Sequence, residues 1–231
     1  MTNLTKEVRV SFSLTNPMNQ AMRDESRFRN LLSVEHDACG IICIVEKNGV
    51  PSTDNVKKAI DALVKMEHRS GFIDGEGDGC GILTDIPRAL WELRLNEAGI
   101  DGSLAYDPAF AVGHLFLPRN LEVPVSEMQR EIRRMFADHG VEILLERENQ
   151  VDNRVLGKNA LKDEPVFWQV AGLCRSAERR PDDQLFELHI AIESRFHVHV
   201  ASMSTYTAAY KVMGSASILP RYFLDTQHER F

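Results

Sequence analysis

The order in which strand-like and helix-like patterns follow one another is the strongest constraint on how this chain folds. Apolar runs and amphipathic stretches are interspersed, but their connections make no regular strand–helix–strand alternation, and several neighbouring strands are placed to pair antiparallel. This order predicts layered α/β sheets with helices outside them, not a doubly wound nucleotide-binding fold. Strands are predicted at 40–46, 82–84, 110–117, 141–145 and 166–174, with a hairpin of 198–203 and 208–213, and helices at 87–95, 125–138, 185–196 and from a cap cluster at 51–54 to about 68.

The first 38 residues lack this patterning. They hold five basic and five acidic residues, few bulky apolar positions and no sustained period. Such a stretch is typical of a weakly ordered arm or of a segment that is removed. Regularity starts at Cys39, and the Ile- and Val-rich run that follows it, residues 40–46, predicts a buried strand.

Charge and hydropathy argue against two classes of partner. The chain carries 27 Lys and Arg against 34 Asp and Glu, a formal net charge of -7. A nucleic acid or an anionic membrane surface usually requires a basic face. The longest apolar stretches, such as 41–45 and 110–117, are far shorter than the roughly 20 residues of a membrane span. We therefore predict no nucleic-acid and no membrane partner.

The four cysteines match no zinc ribbon and no iron–sulfur run, so no metal is predicted. The chain has few cysteines for its length, and its N-terminus lacks the apolar core of a secretory signal, which favours a reducing cytoplasm over a disulfide framework. Cys43, Cys80 and Cys174 are interpreted as small buried hydrophobes.

The glycine-dense segment 71–81 allows two interpretations. A dinucleotide cradle requires a strand, then a glycine turn, then a helix N-terminus, whereas here a helix precedes the glycines and a strand follows them. Three carboxylates, Asp74, Glu76 and Asp78, also stand where a bound anion would lie. The favoured interpretation is that the glycines let the backbone approach another element closely, including an active site.

Several motifs in a fixed order resemble one family. They are residues 37–41 (Asp-Ala-Cys-Gly-Ile), 67–71 (Glu-His-Arg-Ser-Gly), 77–83 (Gly-Asp-Gly-Cys-Gly-Ile-Leu) with a proline at 87, and the later stretches 202–211 and 219–225. Together they resemble class II glutamine amidotransferases, and in particular the amidotransferase domain of the glutamate synthase large subunit. The resemblance covers about residue 37 to the C-terminus and is looser in the middle.

This resemblance implies a fold and a set of site residues. The fold is the layered αββα sandwich of the N-terminal-nucleophile hydrolases, an α/β (α+β) class, here incomplete at the C-terminus. Residues 1–38 become a leader and 39–231 the front part of the amidotransferase domain. Cys39 becomes the catalytic nucleophile once the leader is removed, and Gly40, His68, Arg69, Asp78 and Gly79 become supporting active-site residues.

The resemblance also implies partners and cofactors. Glutamine is the expected substrate, and its ammonia is expected to pass to a downstream synthase domain that makes glutamate from 2-oxoglutarate. No cofactor is expected in this chain. FMN and an iron–sulfur cluster are implied for the full-length enzyme, and an electron-donating subunit is a further candidate partner.

Departures from the family pattern differ in their expected effect on activity. Ser70 and Cys80 stand where Gly and Ala are usual, which are small changes. The family's glutamine-binding arginine and its oxyanion-hole Asn-Gly pair come after the region matched here, and no such stretch follows Asp225. Loss of one oxyanion donor typically costs on the order of 100- to 1,000-fold in rate. Residues 1–231 alone are therefore expected to be a fragment with weak glutaminase activity.

The sequence leaves two alternatives open. The first is a non-catalytic remnant that keeps the fold as a binding or regulatory module. The second is a metal site of His189, Glu193, His197 and His199, of which the first three share a helix face only if the helix extends that far. We expect instead that residues 197–200 begin a strand.

Overall fold

The structure is a computed structural model and describes residues 40–176 and 178–231. Its helices are α1 (Thr53–Lys65), α2 (Arg88–Glu97), α3 (Val125–Asp138), α4 (Lys158–Lys162), α5 (Pro181–Arg195) and α6 (Leu219–Tyr222). Its strands are β1 (Phe72–Ile73), β2 (Glu76–Gly77), β3 (Cys80–Asp85), β4 (Phe110–Leu117), β5 (Val141–Glu148), β6 (Val166–Cys174), β7 (His199–Ser204) and β8 (Thr207–Val212). Short 3-10 turns lie at Glu67–Arg69, Gly102–Tyr106, Asn153–Val155, Ala216–Ile218 and Leu224–Gln227.

A four-stranded antiparallel sheet in the order β5-β6-β4-β7 forms the centre of the described region. Every residue of β4 and β6 is buried, which explains why both strands are apolar in the sequence apart from His114 and Gln169. Because side chains alternate across a strand, Phe110, Val112 and Phe116 face one core, and Leu115 and Leu117 face the other.

Helices α3 and α5 cover the second of these two faces. Met128, Ile132 and Phe136 recur at four-residue spacing along α3 and are buried against the sheet. The helix ends before Gly140, whose φ of +71° is a conformation that suits glycine. The structure therefore confirms the predicted helix at 125–138.

A second, two-stranded antiparallel sheet pairs β3 with β8, with Ile82 opposite Tyr210. It shares the first core with the four-stranded sheet and with Ile60 of α1 and Trp91 and Leu95 of α2. The mixture of helices and antiparallel sheets that the sequence predicts is present, and the predicted strands at 82–84, 110–117, 141–145 and 166–174 are all confirmed.

The predicted strand at 40–46 is wrong. This segment belongs to no sheet in the described region, and Ile41 and Val45 are 88% and 76% exposed. An Ile- and Val-rich composition favours extended backbone, but a strand also requires a neighbour to bond its N–H and C=O groups. No strand of the described region provides that edge, so Cys43, predicted to be buried, is exposed as well.

The predicted hairpin of 198–203 and 208–213 is also wrong, although both strands exist. They are β7 and β8, and they belong to different sheets. The backbone N–H groups of Thr207 and Ala209 donate to the hydroxyls of Ser204 and Ser202, at 3.3 and 2.9 Å. Side chains of β7 thus accept from backbone N–H groups of β8, while β8 forms its backbone ladder with β3.

Asp225 is the centre of a buried charged cluster between the layers. Its carboxylate accepts hydrogen bonds from Arg94 and from Gln169 Nε2 at 2.7 Å, from Tyr210 Oη at 3.1 Å and from Arg147 at 3.4 Å. Burial alone raises the pKa of Asp225, but the charge of Arg94, the amide of Gln169 and the charge of Arg147 together lower it below its ordinary value.

We expect Asp225→Ala to destabilise the fold by about 3–5 kcal/mol, because it leaves the buried guanidinium of Arg94 without its partner. The measurement is urea unfolding at pH 7. The matched control is Glu142→Ala, which breaks a half-exposed ion pair with Arg175 and should cost less than about 1 kcal/mol. Equal effects of the two substitutions would contradict the role given to Asp225.

His114 lies next to this cluster and is fully buried. Its Nδ1 donates to the carbonyl of Ala209 at 2.9 Å, and its Nε2 accepts from Gln169 Nε2 at 3.1 Å. Burial lowers the pKa of His114 to about 4, while the bond to Ala209 and the charge of Asp225 act in the opposite direction. The imidazole is therefore neutral at pH 7, in the tautomer that both hydrogen bonds require.

We expect His114 to lower the free energy of unfolding as the pH falls. Its pKa of about 4 in the fold lies below the ordinary value of 6.5, so the unfolded chain takes up a proton first as the pH falls. The free energy of unfolding is therefore highest above pH 6.5, where the imidazole is neutral in both states. It is lower by about 3 kcal/mol at pH 4. Urea unfolding from pH 7 to pH 4 should show a steeper loss for the native chain than for His114→Gln. The exposed control His197→Gln should behave like the native chain.

Candidate active site

Gly40 is the first described residue, and Cys39, the predicted nucleophile, lies outside the described residues. Gly40 packs on Met66, since a Cβ added to Gly40 would lie 2.8 Å from Met66 Cε. Met66 immediately precedes the 3-10 turn Glu67–Arg69. The glycine next to Cys39 is thus in contact with the residue that leads into the His-Arg pair.

His68 and Arg69 are both exposed on this turn. His68 Nδ1 lies 3.1 Å from the carbonyl of Lys65, and the backbone N–H of Arg69 donates to the carbonyl of Met66 at 2.8 Å. These bonds continue the end of α1, where the last helical carbonyls require donors. The position of His68 is thus that of a helix-terminus residue, and the described residues place no carboxylate on its ring in the manner of a catalytic triad.

The glycine-dense segment folds as a tight hairpin followed by a close backbone contact. The turn between β1 and β2 is formed by Asp74 and Gly75, at φ of +52° and +81°, the signs that a two-residue hairpin turn requires. A Cβ on Gly77 would lie 2.6 Å from the backbone of Gly214 and Ser215. The close-approach interpretation of the glycines is therefore confirmed at this position.

Asp78 and Gly79 follow the hairpin and belong to the same neighbourhood as the His-Arg turn. The backbone N–H of Asp78 donates to the carbonyl of Gly71 at 3.0 Å, and the Asp78 carboxylate packs against Gly71, two residues after Arg69. The structure thus places Gly40 beside Met66, just before the turn with His68 and Arg69, and it places Asp78, followed by Gly79, beside Gly71, just after that turn.

Near this hairpin, a carboxylate of the protein occupies the N–H donors that a bound anion would use. The carboxylate of Glu76 accepts hydrogen bonds from the backbone N–H groups of Asn159, at 3.2 Å, and Ala160, at 3.4 Å, at the start of α4. These are the unpaired donors of a helix N-terminus, the groups that a phosphate would use. The carboxylate of the protein itself takes them, which agrees with the rejection of a nucleotide cradle.

An open cleft of about 900 Å³ lies between the two sheets at the end where β4 finishes and β6 and β7 begin. Asp78 and Gly79 lie on its wall. Its polar side chains include Asp78, Asp163, Glu164, His199 and Lys211, and its apolar lining includes Ile82, Phe116, Leu156, Ala201 and Tyr222. The volume falls in the range of roughly 300–1,000 Å³ that is typical of small-molecule sites.

Two of the remaining thiols, Cys80 and Cys174, are poor candidates for a nucleophile. Burial and the nearby carboxylates of Glu67 and Asp78 raise the pKa of Cys80 to about 12. Burial and Asp182 raise the pKa of Cys174 to about 11. A thiol attacks as its thiolate, so both side chains are inert near pH 7.

The metal-site alternative of the sequence analysis fails on geometry. Helix α5 ends at Arg195, so His197 does not share the helix face of His189 and Glu193. Across residues 40–176 and 178–231, no group of three or more His, Cys, Asp or Glu side chains is arranged to hold a metal ion. The same part of the chain has no helix that is long and apolar enough to span a membrane.

Sequence reasoning did not identify the cationic side of the cleft. Lys211 belongs to the Tyr-Lys pair of β8 that contributes to the family resemblance, but its position relative to His199 depends on how β8 stacks over β7. The available signal was the two-residue period of a strand, which places Lys211 on the face opposite Tyr210 and Val212.

Comparison with known proteins defines the class. The family model of class II glutamine amidotransferases matches residues 39–231, so the chain belongs to this family. The match begins at Cys39 and includes the whole neighbourhood described above.

The similar proteins are glutamate synthases. The chain is 31% identical over 218 residues to the ferredoxin-dependent glutamate synthase of Pyropia yezoensis, covering 87% of this chain and 14% of that protein. It is 31% identical to ferredoxin-dependent glutamate synthase 1 of Arabidopsis thaliana, covering 85% of this chain and 13% of that protein. It is 29% identical to glutamate synthase [NADH] of Saccharomyces cerevisiae, covering 85% of this chain and 10% of that protein. The chain thus spans about one seventh of the length of such relatives, or less.

We expect the thiols to differ in reactivity in the folded protein. Iodoacetamide at pH 7.5 should modify exposed Cys43 and leave Cys80 and Cys174 unmodified, because the pKa values of about 12 and 11 keep these two protonated. Peptide mass spectrometry identifies the modified positions, and unfolding in urea should make all of them reactive. Fast labelling of Cys80 in the native state would contradict the environment described here.

Proposed function

We propose that this chain is the glutaminase part of a glutamate synthase and that Cys39 is its nucleophile. The main support for this proposal is that the match to class II glutamine amidotransferases begins at Cys39 and continues over residues 39–231. The contact of Gly40 with Met66 supports the proposal, because it brings the residue after the nucleophile next to the His-Arg turn.

The chemistry requires an N-terminal cysteine. Removal of residues 1–38 would give Cys39 a free α-amine, whose reference pKa of about 7.7–8.0 leaves a neutral fraction near pH 7 to accept the thiol proton. The sulfur attacks the side-chain amide carbon of glutamine, the C–N bond breaks, and the nitrogen leaves as ammonia with the proton. Water then hydrolyses the glutamyl thioester to glutamate and restores the thiol.

The supporting residues receive roles that fit their positions. Gly40 permits the close approach to Met66, and the turn with His68 and Arg69 would hold the amine and backbone of Cys39. Asp78 and Gly79 would shape the wall beside the nucleophile, where Asp78 bonds Gly71. The two stacked sheets and their outer helices support the proposal that the domain is an αββα N-terminal-nucleophile sandwich.

The remaining parts of the reaction would lie in other regions of a longer protein. In our proposal a synthase domain receives the ammonia and makes glutamate from 2-oxoglutarate, with FMN and an iron–sulfur cluster outside this chain. The names of the relatives include ferredoxin and NADH, which supports an electron-donating partner. The free thiols of Cys43, Cys80 and Cys174 support a reducing compartment such as the cytoplasm.

We expect Cys39→Ala in the complete natural polypeptide to lower glutamate release from glutamine by roughly 1,000-fold or more, because no other residue replaces a covalent nucleophile. The matched control is Cys43→Ser, four residues later and exposed, which should keep near-native activity. Intact mass and N-terminal sequencing should show the active form starting at Cys39.

Two results would sink this proposal. One is a glutaminase rate that the Cys39→Ala substitution leaves unchanged. The other is a natural protein that still starts near Met1 and releases no glutamate from glutamine, which would favour the non-catalytic module instead.

A further inference from the structure

Strand β5 forms one edge of the four-stranded sheet. In the part of the chain that the structure describes, it pairs with β6 alone, so alternate N–H and C=O groups of Val141–Glu148 face away from the sheet with no strand to bond them. Proteins usually protect such an edge with lysine, with proline or by keeping the strand short. β5 contains neither residue, and it is longer than the average strand of about five or six residues. The edge of β5 is therefore able to accept another strand.

An open groove of about 770 Å³ follows this edge. It is lined by residues 140–146 of the chain together with Arg133 and Ala137 of α3 and with Arg175. The apolar residues at the middle of β5, positions 143–145, are only partly buried by the two cores. The groove thus combines exposed apolar side chains with unpaired backbone, which is the combination that strand addition uses.

A bulge in the middle of β5 gives the strand a symmetric pattern of faces. The register with β6 shifts between Ile143 and Leu145, so Leu144 is the extra residue. The side chains on the face covered by α3 are therefore those of residues 141, 143, 146 and 148, and those on the opposite face belong to 142, 144, 145 and 147. Each of these two sets maps onto itself when the strand is reversed about the peptide bond between Leu144 and Leu145.

This symmetry fits a second copy of the same strand. Opposite residues of an antiparallel pair point to the same face of the sheet. The register that pairs all eight residues of β5 with those of a second copy puts Leu144 opposite Leu145, and it obeys this rule at every position. It also puts Glu142 opposite Arg147 of the second copy, and two-fold symmetry makes this contact twice. No two like charges are opposite each other in this register.

The surroundings of Arg147 favour an added carboxylate. Arg147 is 24% exposed and shares Asp225 with the buried Arg94, so two guanidinium groups face one carboxylate. Burial and the charge of Arg94 lower the pKa of Arg147, which indicates that the two cations repel each other. Glu142 is half-exposed in a surface ion pair with Arg175, and such a pair costs little to rearrange. Glu142 of a second copy would thus supply a second carboxylate to this cluster.

We infer that the edge of β5 is a self-association surface, on which two copies of this chain join their four-stranded sheets into one continuous antiparallel sheet. The charge pair of Glu142 with Arg147 sets the register, and the apolar residues at 143–145 form the centre of the interface. This association uses no residue of the proposed hydrolysis, so either one can fail without the other.

The test measures self-association of the full chain by sedimentation velocity over a wide range of protein concentrations. Glu142→Lys places a lysine opposite Arg147 twice, and Glu142→Gln removes the attraction without adding repulsion. The matched control is Asp61→Lys, the same charge change at an exposed acid of α1. Urea unfolding at concentrations where the chain is monomeric shows whether each variant is folded.

We expect the native chain to shift from its monomer mass of 26.1 kDa to twice that mass as its concentration rises. Glu142→Lys should weaken dimerisation by about 10-fold or more, because two attractive cross-strand pairs become repulsive. Glu142→Gln should weaken it less, and Asp61→Lys should leave it unchanged. A chain that stays monomeric at every concentration would overturn the inference, and so would a dimer that Glu142→Lys leaves intact.

Amide hydrogen exchange tests the same surface without any substitution. Peptides that cover Val141–Glu148 should exchange several-fold more slowly in the dimer than in the monomer, because the free edge of β5 gains hydrogen bonds. Peptides from α5, Pro181–Arg195, should exchange equally in both states. A dimer in which the exchange of β5 does not change would place the interface elsewhere and contradict the role given to this edge.

Discussion

The buried carboxylate of Asp225 is the interaction on which the arrangement of the layers depends. It joins Arg94 of α2, Arg147 of β5, Gln169 of β6 and Tyr210 of β8, so one side chain bonds elements of both sheets and of an outer helix. Removing an ion from water costs several kcal/mol, and only a nearly complete set of partners offsets this. Such a cluster tolerates little displacement, and it therefore fixes the offset of one sheet on the other.

The offset between the two sheets also determines which groups bond the backbone N–H and C=O groups of β8. An edge strand exposes unpaired N–H and C=O groups, which are costly when buried. Here the hydroxyls of Ser202 and Ser204 accept two of the N–H groups, and His114 donates to the carbonyl of Ala209. The alternate serines of β7 thus act in place of a neighbouring strand. The two sheets are held together through side chains along β7 and β4, and their ends diverge into the cleft.

The sequence predicted elements whose pattern is set by their own burial. Both faces of β4 are covered, and the strand is apolar apart from His114, while the apolar residues of α3, which is covered on one face, recur every three to four residues. Strand pairing could not be predicted in this way, because it depends on which strand edge is available in the fold. Residues 40–46 have strand composition but no neighbouring strand in the described region, and β7 and β8 are adjacent in the chain but belong to separate sheets. The motifs around His68 and Asp78 were recognisable, whereas the contact of Lys211 with His199 arises only from stacking.

The position of the glycines links this fold to the chemistry proposed for it. A nucleophile that uses its own α-amine as base needs little catalytic machinery beside it, but it needs a backbone that comes close to its neighbours. Gly40 against Met66, Gly71 against Asp78 and Gly77 against Gly214 are positions where a Cβ would collide, at 2.8, 2.5 and 2.6 Å. The short contacts lie around the His-Arg turn and the hairpin that leads to the cleft. The glycine-dense segment is therefore a close-packed stretch of backbone between the His-Arg turn and β3.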